Sequence, residues 1–576
     1  MKNPITKPGA VKFAKTLGSA LPYLVFGMAL FFVTDRFFGR AESLLSFIFL
    51  FYARQQMAAG GLSAKNHLFN ALPFFLAALA ATLTSLGPVV LVLMNCGFLF
   101  FIIFTYADDF APRNYFLIGL EFMMLQIFPM TMAELPQRLA AVAFAFAATT
   151  LFVQVMKRAH KGAAHLEKRT QAVLHDCFAE VSAQFTALCT GDVQRTQADR
   201  LSKITTSFCQ AEYPNTFQQL GLMSPRQKYF FAILLAAEQL GQVLAAAGKH
   251  NDGVQPAEVE NFDRLARLFA GYTTEADMAK SLRAFLATAH FHTQQRAADW
   301  AAALQTVCRT LESDQEKHSN ETKLRAGIVY RARHLRARAG IHHMQFRFAL
   351  QAALIIGAGT LLALALEQSG FQHTYWITLS AYSMLYTYAD DTVQDVLLRI
   401  AGTLVGAVFF VVATQWFPVE IRLAVALLIG FLGTLASKSV LVKMAGSTQM
   451  SMSVLYAHES LAASVFTRIM FVILGALVVL LGVAFVLRMR RSATIKSRLA
   501  RMAQTDQQLY DQAIRQARAQ KPAQRHVAEL LNTLHLSSAL LLQLSSGINE
   551  SDRTQLQRLV HQNHRFTTAV MREFSF

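Results

Sequence analysis

One carboxylate, Glu121, stands in the apolar run from Tyr115 to Met124 with hydrophobic residues on both sides. An ionised acid at membrane depth costs several kcal/mol, so such a residue is retained for a reason. Two readings follow: a proton-coupling or cation-binding acid, or a carboxylate paired to a neighbouring basic group, with Arg138 and Lys443 as candidates. A second polar stretch holds Ser447, Thr448, Gln449, Ser451, Ser453 and His458. Ser447, Ser451 and His458 share one helical face, which suits either a polar pathway or hydrogen bonding between helices. Arg138, Arg399 and Arg468 each open an apolar run. Turned inward they make an anion funnel; turned outward they snorkel to water. The run from Tyr375 to Tyr388 is rich in aromatics, and Tyr382 and Tyr386 would suit an aromatic carboxylate. Tyr375, Trp376 and Tyr388 read instead as an interfacial belt.

Two features carry less chemistry. Thr-Tyr-Ala-Asp-Asp occurs twice, ending at Asp108 and Asp109 and again at Asp390 and Asp391. The acidic pairs read as two unrelated polar helix ends, or as a shared gating or cation-attracting device. Gly402 and Gly406 have the spacing of close helix packing. No phosphate-loop, zinc-ligand, nucleophile-elbow or dinucleotide pattern is found, so neither an enzyme nor a cofactor nor a metal is expected.

The elements that must position these residues are helices. Two hydrophobic blocks, 1–156 and 346–490, each divide into about six apolar stretches of near-spanning length. Between them lies a polar segment, 157–345, and after them a tail, 491–576, both with helical periodicity. The expected fold is an all-α polytopic membrane protein with a helical cytosolic insert and tail. A shift of 330 residues, the separation of Arg138 from Arg468, superposes the blocks and equates Glu121 with Ser451. This predicts two six-helix bundles related as a parallel repeat. Runs two and eight look short, bounded by Glu42 and Arg54 and by His373 and Asp390. The 576 residues are 53% hydrophobic with a formal net charge of +18. The basic excess gathers where the apolar blocks meet polar sequence, which puts both termini and the insert on the cytoplasmic side and argues against nucleic acid. Five scattered cysteines read as reduced thiols, and the N-terminus shows no cleaved signal peptide.

Tyr375-Trp376 opening one run, then Arg399, Gly402, Thr403 and Gly406 opening the next, resemble the signature of the fusaric-acid-resistance-like (FUSC) family. Arg468 followed by Gly475 is similar to that family's last span, and the layout is similar to its YccS/YhfK-type branch. A proline common between the family's two signature elements is replaced here by the Tyr388–Asp391 region. The resemblance implies a bacterial inner-membrane exporter of aromatic or hydrophobic organic anions, driven by protons, with Glu121 as coupling acid. The alternatives are an anion-conducting channel-like protein and a membrane-anchored scaffold that binds a partner through its cytosolic helices. Expected partners are the lipid bilayer and a small organic anion, with a second copy of the chain and a periplasmic adaptor left open.

Overall fold

Apolar runs in hydrocarbon must pair their own peptide groups, and a helix does so within one segment. The structure, a computed structural model, describes residues 8–58, 64–107, 113–159, 163–190, 225–249, 256–288, 295–312, 343–417, 419–436, 439–456, 461–519 and 548–573, with isolated positions among 200–208, 332–341 and 534–545. No strand occurs among them. The first helices are α1 (Pro8–Phe38), α2 (Arg40–Ser43), α3 (Leu45–Ala58), α4 (Ala64–Leu83), α5 (Pro88–Tyr106), α6 (Phe116–Leu125) and α7 (Leu135–Ala159). Polar helices follow: α8 (Ala163–Thr190), α9 (Pro225–Lys249), α10 (Pro256–Ala270), α11 (Glu275–Thr288) and α12 (Gln295–Glu312). Then come α13 (Met344–Gln368), α14 (Tyr375–Met384), α15 (Ala389–Trp416), α16 (Val419–Ala436), α17 (Val440–Tyr456) and α18 (Leu461–Phe485), and last α19 (Arg491–Ala519) and α20 (Glu550–Glu573). The chain divides into two units, residues 1–108, 112–162 and 335–490 in one and 109–111, 163–334 and 491–576 in the other.

Among the described residues of the first unit, six helices are long and apolar enough to cross a membrane: those spanning Ala20–Phe38, Pro88–Tyr106, Met132–Met156, Met344–Gln368, Ala389–Trp416 and Leu461–Phe485. The 25 residues of α13 extend about 37 Å, more than the roughly 30 Å hydrocarbon core. The exterior is apolar, with Val25, Val89, Leu93, Leu404 and Val408 exposed at helical spacing. Charges go inside: Glu42, Glu121 and Arg138 are all fully buried. A surface that exposes leucine and valine while hiding arginine and glutamate fits lipid as its solvent.

Several boundaries depart from the sequence reading. The first apolar run carries polar Thr34, Asp35 and Arg36 within its helix; α1 continues to Phe38 and the break falls at Gly39, whose φ of +91° suits glycine alone. The fifth apolar stretch yields a helix of only 10 residues, α6. Pro129 lacks an amide donor and disfavours helix at Phe128, so the chain leaves the helix before it. The helix carrying Arg399 starts ten residues earlier than the apolar pattern suggests, at Ala389, so Arg399 lies inside α15 rather than at its mouth.

Helix α14 is also short, at 10 residues, and every residue from Trp376 to Met384 is buried. It packs against α13, α18 and α6. The two apolar blocks meet along α5 and α13, where Gly357 lies so close to Cys96 that a Cβ would sit 2.5 Å from its Sγ. Buried amides span that seam: Gln126 Nε2 donates to Asn95 Oδ1 and Asn95 Nδ2 donates to Thr360 Oγ1, both at 2.9 Å.

The polar unit has its own core. Helix α8 packs on α10 and α9, and α12 on α9 and α11, around Phe178, Phe185, Phe262, Phe269 and Trp300. The described cysteines are free thiols, with Cys177 and Cys308 buried. In the tail, Asn563 of α20 donates to Asp506 of α19 at 2.5 Å, but the second oxygen of Asp506 is buried without a partner among the described residues. Burial pushes the Asp506 carboxyl up to about 6, against the opposing hydrogen bond. A carboxyl raised in the folded state favours folding below its ordinary range, and that contribution is lost as pH rises through about 6. Asp506→Asn should therefore protect the α19–α20 pair from limited proteolysis of the full chain at pH 8, with little effect at pH 4.

Candidate functional site

Arg138 lies in the first turn of α7, and its long side chain reaches Glu42 on α2. Its Nε donates to Glu42 Oε1 at 2.9 Å, its Nη2 to the Phe128 carbonyl at 2.9 Å, and its Nη1 weakly to Thr82 Oγ1 at 3.4 Å. The break before Pro129 supplies that carbonyl, since an unbroken helix would have occupied it. Glu42 Oε2 and both carboxylate oxygens of Glu121 are buried with no hydrogen-bond partner among the described residues. The charges close enough to act on Glu121 are Glu42 and Arg138. Arg138 is thus paired with Glu42, not with Glu121, and this first cluster holds two acids against one base.

A second cluster has the opposite sign. Asp395 and Arg399 are one turn apart on α15, Ser464 and Arg468 one turn apart on α18, and Trp376 and Ser380 one turn apart on α14, so each pair shares a helix face. The Arg468 guanidinium lies over the Trp376 ring, 4.1 Å from its centroid. Arg468 is 1% exposed, and its Nε and Nη1 have no partner among the described residues. Arg399 donates through Nη1 to Met444 Sδ at 3.1 Å and leaves Nε unpartnered. The two guanidiniums lie within electrostatic range of each other. Trp376 Nε1, Ser380 Oγ and Ser464 Oγ are buried polar atoms that also lack partners among the described residues.

Arg113 closes one side. It donates to the Tyr386 hydroxyl at 2.6 Å and the Ser383 carbonyl at 3.0 Å, and stacks on the Tyr386 ring at 3.9 Å. Tyr386 in turn donates to Asp395 Oδ1 at 3.0 Å, while Asp395 Oδ2 has no partner among the described residues. Arg113, Arg399 and Arg468 against Asp395, with Asp391 also close enough to act on Tyr386, leave this cluster positive. Buried donors without acceptors are costly, and an anion that accepts from them removes that cost.

The other sequence candidates fall as follows. Tyr382 is fully buried and its hydroxyl donates to the Phe116 carbonyl at 3.0 Å, tying α14 to α6 instead of reaching the arginines. Trp376 is buried against Arg468, not an interfacial belt residue. None of Arg138, Arg399 and Arg468 snorkels; all are buried. Gln449 and Ser451 are buried on α17, where Ser451 donates to the Thr448 carbonyl at 2.8 Å, and Ser447 is half-buried. Gly402 and Gly406 face α17: added Cβ atoms would lie 2.5 Å from Met444 Cβ and 2.6 Å from the Ala445 carbonyl oxygen. Asp390 and Asp391 occupy the first turn of α15, favourable to its dipole, with Asp390 exposed. Asp108, Asp109 and His458 lie outside the described residues. Sequence reasoning passed over Glu42, Arg113, Trp376 and Asp395 as site residues; the Asp395–Arg399 spacing of four was the one local signal.

Gly119 on α6 is where the Tyr382 ring crosses. A Cβ there would sit 2.1 Å from the hydroxyl and 2.6 Å from Cζ, both buried and held. Gly119→Ala should destabilise by about 1–3 kcal/mol through overpacking. Tyr382→Phe, which loses only a hydrogen bond, should cost about 1 kcal/mol. Thermal unfolding of both variants in detergent checks the order.

No curated protein and no solved structure matches this chain. Residues 356–482, which contain Trp376, Ser380, Asp395, Arg399, Ser464 and Arg468, match the family model described as fusaric acid resistance protein-like, so the part of the membrane unit that carries the positive cluster is similar to that family.

Proposed function

We propose that this multi-pass membrane protein is a bacterial inner-membrane exporter of aromatic or hydrophobic organic anions, driven by the proton gradient. The observation that carries the reading is the buried Arg399 and Arg468 pair, with donors unpartnered among the described residues, inside the segment similar to the fusaric acid resistance proteins. Guanidiniums in such surroundings recognise a carboxylate through paired, charge-assisted hydrogen bonds. Trp376, Ser380 and Ser464 add donors and an aromatic wall. Short helices are the places where transporters build sites, and α14 contributes Trp376 and Ser380 to this one.

In this reading the two blocks form a parallel six-helix repeat, and rocking of one on the other about the α5–α13 seam alternates access. Arg138 and Arg468 then occupy equivalent positions. Arg138 meets the protein's own carboxylate, Glu42, whereas the arginine equivalent to it is reserved for that of the substrate. Glu121 supplies proton coupling, and both termini and the polar insert are cytoplasmic. The layout accords with the YccS/YhfK-type branch.

The test is flux of radiolabelled hydroxybenzoate from proteoliposomes with and without an imposed pH gradient. Acceleration by the gradient supports the exporter. Equal flux in both conditions makes the protein an anion conduit, and no flux of any aromatic acid overturns both.

A further inference from the structure

We infer that Glu42, Arg138 and Glu121 form a single-proton site, in which Glu121 holds the proton while Glu42 stays ionised on Arg138. The inference rests on the transport reading only for what the proton is used for. The chemistry comes from counting charges in a sealed space. Three ionisable side chains, from α2, α6 and α7, are each 0% exposed. One guanidinium neutralises one carboxylate, and the geometry says which: Arg138 Nε lies 2.9 Å from Glu42 Oε1. Glu121 is left with two oxygens that accept from nothing among the described residues. An ionised carboxylate buried without a donor is the costliest state a side chain can take, and a bound proton removes that charge.

Among the described residues no other charged group acts on Glu121. Helices α3, α4, α5 and α14 pack on α6. From α4 the contribution is the uncharged Thr82. From α14 it is Tyr382, whose hydroxyl is taken by the Phe116 and Tyr115 carbonyls. The charges acting on Glu121 are Glu42 and Arg138.

The site also has a way to report its state. When Glu121 loses the proton, two carboxylates compete for one guanidinium. The weak 3.4 Å bond from Nη1 to Thr82 is the first that Arg138 can give up, and further turning draws Nη2 from the Phe128 carbonyl. Phe128 lies in the break between α6 and α7, so the proton on Glu121 bears on the irregular segment joining two helices of the membrane unit.

Dicyclohexylcarbodiimide modifies protonated carboxyls in apolar surroundings, and peptide mass spectrometry locates the adduct. With the purified full-length protein and no substrate present, the label should fall on Glu121 and not Glu42, and should fade as pH is raised. Glu42→Gln frees Arg138 to pair with Glu121, so labelling of Glu121 at neutral pH should drop at least tenfold. Arg138→Gln leaves two acids without a base, so Glu42 should become labelled as well. Should Glu42→Gln fold poorly, Glu121→Gln, which mimics the protonated acid, should fold and lose the adduct. Absence of label on Glu121 in the unaltered protein, or undiminished labelling in Glu42→Gln, overturns the inference. A labelled Glu121 in a protein that moves no aromatic acid would leave the proton site standing and remove the transport reading. Anion flux without labelling would do the reverse.

Discussion

Arg468→Gln should weaken binding of an aromatic carboxylate about a hundredfold while leaving the protein folded. The substitution removes a buried guanidinium whose Nε and Nη1 have no partner among the described residues, so no native ion pair is broken. What is lost is two charge-assisted hydrogen bonds to the ligand, together worth about 3 kcal/mol, which at 1.4 kcal/mol per factor of ten gives roughly a hundredfold. Stability should change little or rise, because the arginine is buried and positive beside Arg399. Arg468→Lys should not restore binding. An ammonium is a compact point charge that cannot lie flat on Trp376 as the guanidinium does at 4.1 Å, nor present two parallel donors. Competition against a radiolabelled aromatic acid in detergent, with thermal unfolding as the control, reads both quantities.

Arg138→Gln should have the opposite signature, a loss of stability of about 3–5 kcal/mol, because it strands a buried carboxylate. Glu42→Gln should cost less, since Glu121 lies near enough to take over the freed guanidinium. The double variant Glu42→Gln with Arg138→Gln should recover part of the loss, and the cycle of four proteins gives the coupling directly. Equal costs for the two single variants would mean that Glu121 does not interact with Arg138. The two arginines differ in what holds them: Arg138 is held by the protein's own acid, while Arg468 Nε and Nη1 have no partner among the described residues.

The helices of the membrane unit were legible in the sequence because a bilayer allows apolar runs few other forms. Glu121 was conspicuous for the same reason, as one acid among Ile118, Leu120, Phe122 and Met123. The depth of Arg399 was not legible. Asp390 and Asp391 read as the polar end of the run before them, yet they also suit a first turn, and the structure uses them to open α15. Trp376 misled through its neighbours: an aromatic near the start of a short run suits an interface, and its burial follows from α13, α18 and α6 enclosing α14 on all sides. The Glu42–Arg138 pair is separated by 96 residues, so nothing local announces it. The sequence reading ran the fifth apolar stretch straight through Pro129; the fold shows the chain leaving α6 before it, which frees the Phe128 carbonyl for Arg138.

An electron cryomicroscopy structure of the full-length protein with iodobenzoate decides whether the Arg399–Arg468 pair is the anion site. The account predicts a carboxylate within hydrogen-bond distance of Arg468 Nη1 or Nε and of Arg399 Nε, near Trp376 and Ser380. Iodobenzoate bound elsewhere in the membrane unit, with both guanidiniums untouched by it, would contradict the account.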